Sequence, residues 1–507
     1  MLIEQADVVI VGAGLAGLST AVFLGLNGVS AIVLERRSGT SILPKARGQN
    51  PVTMEALRTA GLVEAIVAAR PPGKPAITSV ISRSMAGPIL YDHVVNRPDF
   101  SQFSPERPGM ASQAKTEAAF AERAKELGAQ LLFETQCLAV EQESDSVLVT
   151  IKTLATGEIR QIRARYLVAA DGIRGELAAN LGAKRIGHGL IKSVTAVRFL
   201  ADLTALAGDN SMVIHYIQNP VLPDGAGVIV STDTLGEWVA NMSADPERTE
   251  EQTIEVIRTL VGIPDLELQV LGSVSFDYGH WTMDKLKIGR VFLTGDSAHV
   301  MPPTGGQGGN AAVQDGYYLG WKLAAVIRGL AGEALLETYE AERRPYVQAV
   351  CDWQVANLAE RRAMDITDVT KPMDHASLLF GYACPQGAFV PDPQANDALF
   401  EHPSNASGKP GSRVPYVKLM GEAGEVCPRR MMGPYFMVFT ADAGGAGKAN
   451  AVASRMGIQL RAHQVDSVAP LGDEEADTVL VRPDGIVAWR GRGIDHLGDI
   501  LETVLYR

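Results

Sequence analysis

Between Asp7 and Glu35 the chain reads DVVIVGAGLAGLSTAVFLGLNGVSAIVLE. A continuous apolar run, Ala6 to Val11, ends in Gly12-x-Gly14-x-x-Gly17 and passes into a helical pattern from about Gly14 to Asn27. Ser30 to Leu34 is a second β-rich run, closed by Glu35. An unbroken apolar run bounded by glycine reads as a strand buried on both faces of a parallel sheet. The three glycines serve a tight turn, a close backbone approach to a pyrophosphate, and close helix–strand packing. Leu15 and Ala16 begin the helix, whose free N–H groups and positive dipole end attract an anion. Glu35 falls about 20 residues past the glycines, where a carboxylate accepts hydrogen bonds from ribose hydroxyls. The unit predicts a Rossmann-like fold holding FAD or NAD rather than NADP.

The rest of the composition narrows the class. In 507 residues there is room for two or three domains. With 46 Lys+Arg against 58 Asp+Glu, the net charge of −12 argues against nucleic acid or an anionic membrane as the main partner. Cys137, Cys351, Cys384 and Cys427 are scattered and form no CxxC, which excludes a disulfide scaffold, a zinc ribbon and a redox dithiol; no metal site is expected. The uncharged stretch from Val8 to Leu26 follows Glu4 and Asp7 rather than a basic segment, and glycines crowd its centre. It reads as strand and helix, not as a signal peptide or membrane span, so a cytoplasmic protein is expected.

A second glycine cluster separates FAD from NAD. Gly289 to Lys322 reads GRVFLTGDSAHVMPPTGGQGGNAAVQDGYYLGWK. A buried strand, Val291 to Thr294, closes on Gly295-Asp296. Pro302 and Pro303 stiffen the next turn, and Gly305, Gly306, Gln307, Gly308 and Gly309 lead to Asn310 and a helix through Leu323. Backbone N–H groups exposed at a helix start suit the anionic side of a reduced flavin. Asp296 is of the right type to accept from a ribityl hydroxyl.

With these motifs and the mid-chain YLVAADGIRGE (Tyr166 to Glu176), the sequence resembles the class A FAD-dependent aromatic hydroxylases. That family includes phenol hydroxylases and the hydroxylases that tailor aromatic polyketides. The resemblance covers nearly the whole chain. It implies FAD held tightly but non-covalently, with Gly12, Gly14, Leu15, Ala16, Gly17, Glu35, Arg36, Arg47, Gln113, Leu138, Asp171, Gly295, Asp296, Pro303, Gly306, Gly308, Gly309 and Asn310 around it. Arg47, Pro303, Gly308 and Gly309 are the residues it places nearest the reaction. Asp171 and Arg174 are implied in both FAD and transient NAD(P)H binding. Gly175 and Ala178 stand where members usually carry Ser and Arg, Gly309 where Met is common, and Tyr318 where Asn is common.

The stretch from about Lys184 to Tyr278 breaks the α/β rhythm with SVTAVRFLADL, MVIHYIQ, GVIVST and EWVANMSAD, an antiparallel sheet by its alternation. By resemblance it roofs the substrate pocket. Tyr216, Thr232, Trp238, Asn241, Met242, Tyr278 and Trp281 are its candidate pocket residues, while His215, His280 and His299 are the histidines able to move protons. Helical signals run from Leu335 to Met364. Pro391 to Arg413 reads as a linker, and a β-α-β-β pattern with a turn at Pro483-Asp484-Gly485 closes the chain. That tail is similar to the thioredoxin-like domain of phenol and polyketide hydroxylases, without the redox CxxC, and a packing or homodimer role is expected of it.

The expected architecture is therefore an α/β protein. It has a discontinuous FAD-binding domain (residues 1–183 and 279–390), a substrate sheet (184–278) and a thioredoxin-like domain (391–507). The expected activity is an NAD(P)H- and O2-dependent monooxygenase, acting through a flavin C4a-hydroperoxide on a phenolic, polyketide-type substrate. A single-ring phenol hydroxylase, an antibiotic-inactivating monooxygenase, and an FAD dehydrogenase or oxidase remain open from the residues, as does a non-catalytic flavin-binding scaffold.

Overall fold

The computed structural model describes residues 3–41, 47–93, 99–362, 373–393, 397–421 and 424–507. Residues 42–46, directly before Arg47, and the final residues of the helix expected to reach Met364 lie outside these ranges. The chain opens with β1 (Ile3–Val11), α1 (Leu15–Leu26), β2 (Ala31–Leu34), α2 (Pro51–Ala60), β3 (Lys74–Ser82), β4 (Ile89–Asp92), α3 (Gln113–Glu126) and β5 (Ile159–Ala169). Its middle supplies β6 (Arg185–Leu200), β7 (Asn210–Gln218), β8 (Ala226–Ser231), β9 (Glu237–Ser243), α4 (Glu250–Val261), β10 (Gln269–Met283) and β11 (Val291–Leu293). Then follow α5 (Gln307–Ile327), α6 (Glu337–Arg362), β12 (Phe436–Thr440), α7 (Gly445–Met456), β13 (Leu460–Gln464), β14 (Thr478–Val481), β15 (Val487–Gly491) and α8 (Leu497–Leu505).

The apolar run of β1 is buried because it is a central strand. It pairs in parallel with β5 on one side (Val8 opposite Tyr166) and with β2 on the other (Val8 opposite Ala31). Beyond β5 lies β11, also parallel. Gly12, at φ +111°, touches the neighbouring strand: a Cβ there would lie 2.1 Å from the Ala170 carbonyl oxygen. Two glycines of α5 let it settle on α1, since a Cβ on Gly316 would lie 2.2 Å from Ser19 Oγ and one on Gly320 2.5 Å from Phe23 Cβ. The helix that starts at the second glycine cluster is thereby locked to the helix that starts at the first.

The second sheet has eight strands among the described residues, in the order His299–Val300, β10, β6, β9, β8, β7, β3, β4. Two of these, β3 and β4, come from residues 74–92, about a hundred residues before the region read as a sheet. On its far face, Val197, Phe199, Trp238, Ala240 and Met242 pack with Ile257, Leu260 and Val261 of α4. A Thr249/Gln252 capping box starts that helix, and Gly262 in the left-handed region ends it.

In the tail, β12 and β13 are parallel, while β14 and β15 follow antiparallel, with α7 between the first pair and α8 at the end. This is the thioredoxin-like arrangement. Its core is continuous with that of the first domain: Phe436, Val438, Leu480, Ala488 and Leu501 belong to the same buried cluster as Leu335 and Tyr339. Of the stretch expected as a linker, residues 394–396 lie outside the described residues, and its C-terminal end is packed rather than loose, with Lys409 and Ser412 buried and the Gly411 carbonyl accepting from Cys384 N–H.

Candidate functional site

One cavity of about 2040 Å³ runs from the first glycine turn, past the second glycine loop, to one face of the sheet that contains β6 to β10. At its nucleotide end, Gly14, the N-cap of α1, carries no side-chain cap, so the first N–H groups of the helix have no side-chain partner. Gly12, Gly14, Leu15, Ala16, Glu35, Arg36 and Leu138 line this end. The Glu35 carboxylate is fixed by two backbone donors, Ala13 N–H at 3.0 Å and Arg37 N–H at 2.9 Å. Gly17 lies off the cavity wall and serves packing, since a Cβ there would lie 1.9 Å from the Gly12 carbonyl oxygen. Cys137 is also in the wall, and burial pushes its thiol up to about 12, with Asp171 adding to the shift, so it is no thiolate nucleophile.

The middle of the cavity is built by a carboxylate that the motif reading passed over. Asp315 of α5 is fully buried. It accepts from Gly295 N–H (2.8 Å), from His299 Nε2 (2.7 Å) and from Arg343 Nε and Nη2 (3.0 and 2.9 Å). Burial works to raise this carboxyl, but His299 and Arg343 outweigh it and hold it below its usual range. The Gly295-Asp296 turn is thus tied to α5 and α6, and His299 takes a structural part. Asp296 itself is exposed in the cavity wall. Asp171 lines the wall too, but its Oδ1 accepts from Ser297 Oγ (2.7 Å) and its Oδ2 from Leu177 N–H (3.2 Å). Gly175 makes room for it, since a Cβ there would lie 2.0 Å from Asp171 Cγ.

The Pro302–Gly306 loop is pinned by α6. Thr304 Oγ1 donates to the Gln354 carbonyl (2.7 Å), and Gln354 Nε2 donates to that of Pro302 (3.1 Å). Gly306, in the left-handed region at φ +67°, is the N-cap of α5 and offers no side-chain cap. Pro303, Gly306, Gly308 and Gly309 therefore present backbone to the cavity. Asn310 lines it as well, but its side chain is a clamp. Oδ1 accepts from Asn50 N–H (2.8 Å), and Nδ2 donates to the carbonyls of Gly306 (2.6 Å) and Gly48 (3.2 Å).

The Arg47 side chain is almost wholly buried and pairs through Nη2 with Asp233 at 2.8 Å; among the described residues its Nη1 has no hydrogen-bond partner. Burial lowers the guanidinium's pKa, against the pull of Asp233. Asp233 sits in the turn between β8 and β9, so the ion pair crosses from the eight-stranded sheet to the glycine-loop side. Gln113 donates to Glu117 (2.6 Å), a buried carboxylate that also accepts from Ser41 N–H (2.9 Å); both residues line the wall.

At the far end the sheet face forms the wall. Residues opposite one another across strands share a face. One row runs Tyr91, Ile81, Tyr216, Val228, Asn241, Ala196, Val274, each opposite the next. A second runs Ser79, Ile214, Val230, Val239, Arg198, Gly272. Tyr216, Asn241, Tyr278 and Trp281 reach the cavity. Trp238 and Met242 do not: strand alternation turns them to the far face under α4, where Trp238 Nε1 donates to the Ala201 carbonyl (3.2 Å). Thr232 is not in the wall either, because its hydroxyl accepts from Thr234 N–H within the β8–β9 turn. Arg361 of α6 was not foreseen; it lies 4.6 Å over the Tyr216 ring, donates to its hydroxyl (2.8 Å), and keeps a buried Nε that has no partner among the described residues. His215 is buried against Ser82, and its ring pKa falls to about 4 through burial. His280 is held by Asp352 and by His188 N–H. Among the described residues no group of three His, Cys, Asp or Glu is arranged to hold a metal ion, and no helix is long and apolar enough to cross a membrane.

Comparison with known proteins gives this architecture its class. The family described as FAD binding domain matches residues 5–354, and the aromatic-ring hydroxylase C-terminal family matches residues 407–507. The chain is 36% identical over 563 residues to tetracenomycin A2 monooxygenase-dioxygenase of Streptomyces glaucescens, covering 100% of this chain and 98% of that one. It is 34% identical over 547 residues to 4-methyl-5-nitrocatechol 5-monooxygenase of a Burkholderia species, covering 99% and 98%. The crystal structure of aklavinone-11 hydroxylase with FAD and aklavinone matches with a TM-score of 0.92 at 32% identity, over 100% of both chains. The chain belongs to the FAD-dependent aromatic-ring hydroxylases and is a flavoprotein monooxygenase. That membership sets aside the FAD dehydrogenase and scaffold readings.

Proposed function

We propose that the chain hydroxylates a planar, multi-ring phenol of the aromatic polyketide kind, in the cytoplasm, with NAD(P)H as reductant and O2 as co-substrate. The observation that carries the substrate class is the cross-strand row from Tyr91 to Val274. Seven strands at about 4.8 Å spacing give a wall roughly 30 Å wide, far more than one ring needs. The cavity volume of 2040 Å³ also exceeds the roughly 300–1,000 Å³ of an ordinary ligand site, as expected where a dinucleotide and a large second ligand meet. The four cysteines are free thiols, which suits a reducing compartment.

The residues fit FAD. Two uncapped helix starts, at Gly14 and Gly306, offer N–H groups to a pyrophosphate and to the anionic side of a flavin. The unpartnered Nη1 of buried Arg47 awaits an anion in the same wall. When bound and reduced by NAD(P)H, FAD supplies the activation of O2 from which one oxygen atom reaches the ring.

The chain's own part is positioning and electrostatics. With FAD bound, Glu35, held by its two backbone donors, would receive ribose hydroxyls, and Asp296 would accept from the ribityl chain. The backbone of Gly306, Gly308 and Gly309 stabilises negative charge without a Cβ in the way of ring or oxygen. The sheet face excludes water and holds the substrate plane. Arg361, with one buried donor unfilled beside Tyr216, takes a phenolic oxygen of the substrate and favours its ionised form.

The test is NAD(P)H oxidation by the holoenzyme under O2 with aklavinone, emodin and catechol, followed by mass spectrometry. Stimulated oxidation with a gain of about 16 Da on a multi-ring substrate is the expected result. Turnover of catechol alone overturns the substrate class.

A further inference from the structure

Residues 74–92 bring β3 and β4 to one edge of the eight-stranded sheet, and among the described residues β4 is the last strand in its order. From these strands and the residue just after them, Ile77, Ser79, Tyr91 and His93 line the cavity that also holds the glycine loops. Three rings follow one another inward. Tyr91 and His93 have centroids 4.9 Å apart at 66°, and His93 and Tyr216 6.0 Å apart at 83°. Exposure falls steeply along this path, from 43% at Tyr91 to 6% at Tyr216. Beside Tyr91, Ile89 and Leu90 are 58% and 45% exposed. Exposed apolar residues on a free edge strand are an aggregation liability. Here they border a cavity whose wall continues the same cross-strand row through Tyr216, Val228, Asn241 and Ala196.

We infer that Tyr91, His93 and Tyr216 form an aromatic portal that binds the rings of the substrate farthest from the flavin. Edge-to-face contact joins the three rings into one continuous aromatic surface, and a planar ring system lies along that surface rather than between the rings. A single-ring phenol seated near the glycine loop does not reach Tyr91, whereas a fused multi-ring phenol does. Tyr91 is then a determinant of substrate size rather than of chemistry. This inference rests on the multi-ring reading above.

The test uses the full-length holoenzyme and its Tyr91→Ala and Tyr91→Phe variants, with flavin absorbance or fluorescence changes reporting the Kd of aklavinone, emodin and catechol. Tyr91 is largely exposed, so FAD content and melting temperature serve as the folding check. The expected result for Tyr91→Ala is a rise in Kd of roughly five- to tenfold for the multi-ring ligands and less than about twofold for catechol, with Tyr91→Phe near wild type. Equal affinity of wild type and Tyr91→Ala for the multi-ring ligands overturns the portal and leaves the substrate class standing. A wild-type enzyme that binds catechol but neither multi-ring ligand overturns both. A rise confined to the KM for NAD(P)H assigns the rings to the reductant and overturns the inference.

Discussion

Asp315 concentrates more of the site than any glycine does. One buried carboxylate holds the Gly295 amide, His299 and both donors of Arg343, and so fixes the turn that presents Asp296. In an Asp315→Asn variant Arg343 becomes an unpaired buried cation, at a cost of about 3–5 kcal/mol. Denaturant unfolding should show that loss, and fluorescence titration should show weaker FAD binding, although residue 315 is not in the cavity wall. An unchanged FAD affinity would detach the network from the cofactor site. The sequence carried a signal for this residue: an acid within the otherwise uncharged stretch from Ala311 to Trp321. It lay unread beside the louder glycines. Arg47 and Asp171 were legible as types, whereas their partners Asp233 and Ser297 were not, because each pair joins segments more than a hundred residues apart.

At the scale of elements, strand alternation was legible and its direction was not. EWVANMSAD reads as a strand, but Trp238 and Met242 on one parity and Asn241 on the other cannot share a face. What decides the parity is α4, which covers Trp238 and Met242 and leaves Asn241 to the cavity. Trp238→Ala should therefore behave as a core truncation. Stability should fall by about 3–5 kcal/mol, while the KM for substrate in the folded holoenzyme moves less than about twofold. Unfolding curves alongside steady-state kinetics would decide it, since a pocket residue would give the opposite pattern. The strands β3 and β4 were missed for a related reason. β3 pairs with β7 in parallel and far away in sequence, and β4 joins only through β3, so no hairpin turn to the main sheet announces either strand.

Across the whole molecule, the tail was legible as a thioredoxin-like unit, but its docking was not. Its buried Arg482 chelates Glu342 of α6 (2.7 and 2.8 Å) and meets Asp484, while Lys322 of α5 reaches the same Glu342 (2.7 Å). A lone arginine after the TVLV strand gives no hint in sequence of a partner 140 residues away. Burial alone would raise the Glu342 carboxyl, but Arg482 and Lys322 hold it down, at about 2 against an ordinary 4.5. Between those values the unfolded chain binds a proton that the fold does not. The stability from this junction is complete above about pH 4.5 and is lost as pH falls toward 2. His215 acts in the window just above. Its ring stays neutral in the fold down to about pH 4 but protonates near 6.5 when exposed, so its contribution is complete above 6.5 and is lost as pH falls to 4. That shift corresponds to about 3 kcal/mol. Both effects have one sign, so equilibrium unfolding should show stability level above about pH 6.5 and falling through two adjoining windows on acidification. His215→Asn should flatten the upper window and leave the lower one in place. A variant that still loses stability as steeply as wild type between pH 6.5 and 4 would remove His215 from the account and leave the junction of α5, α6 and the tail as the acid-sensitive contact.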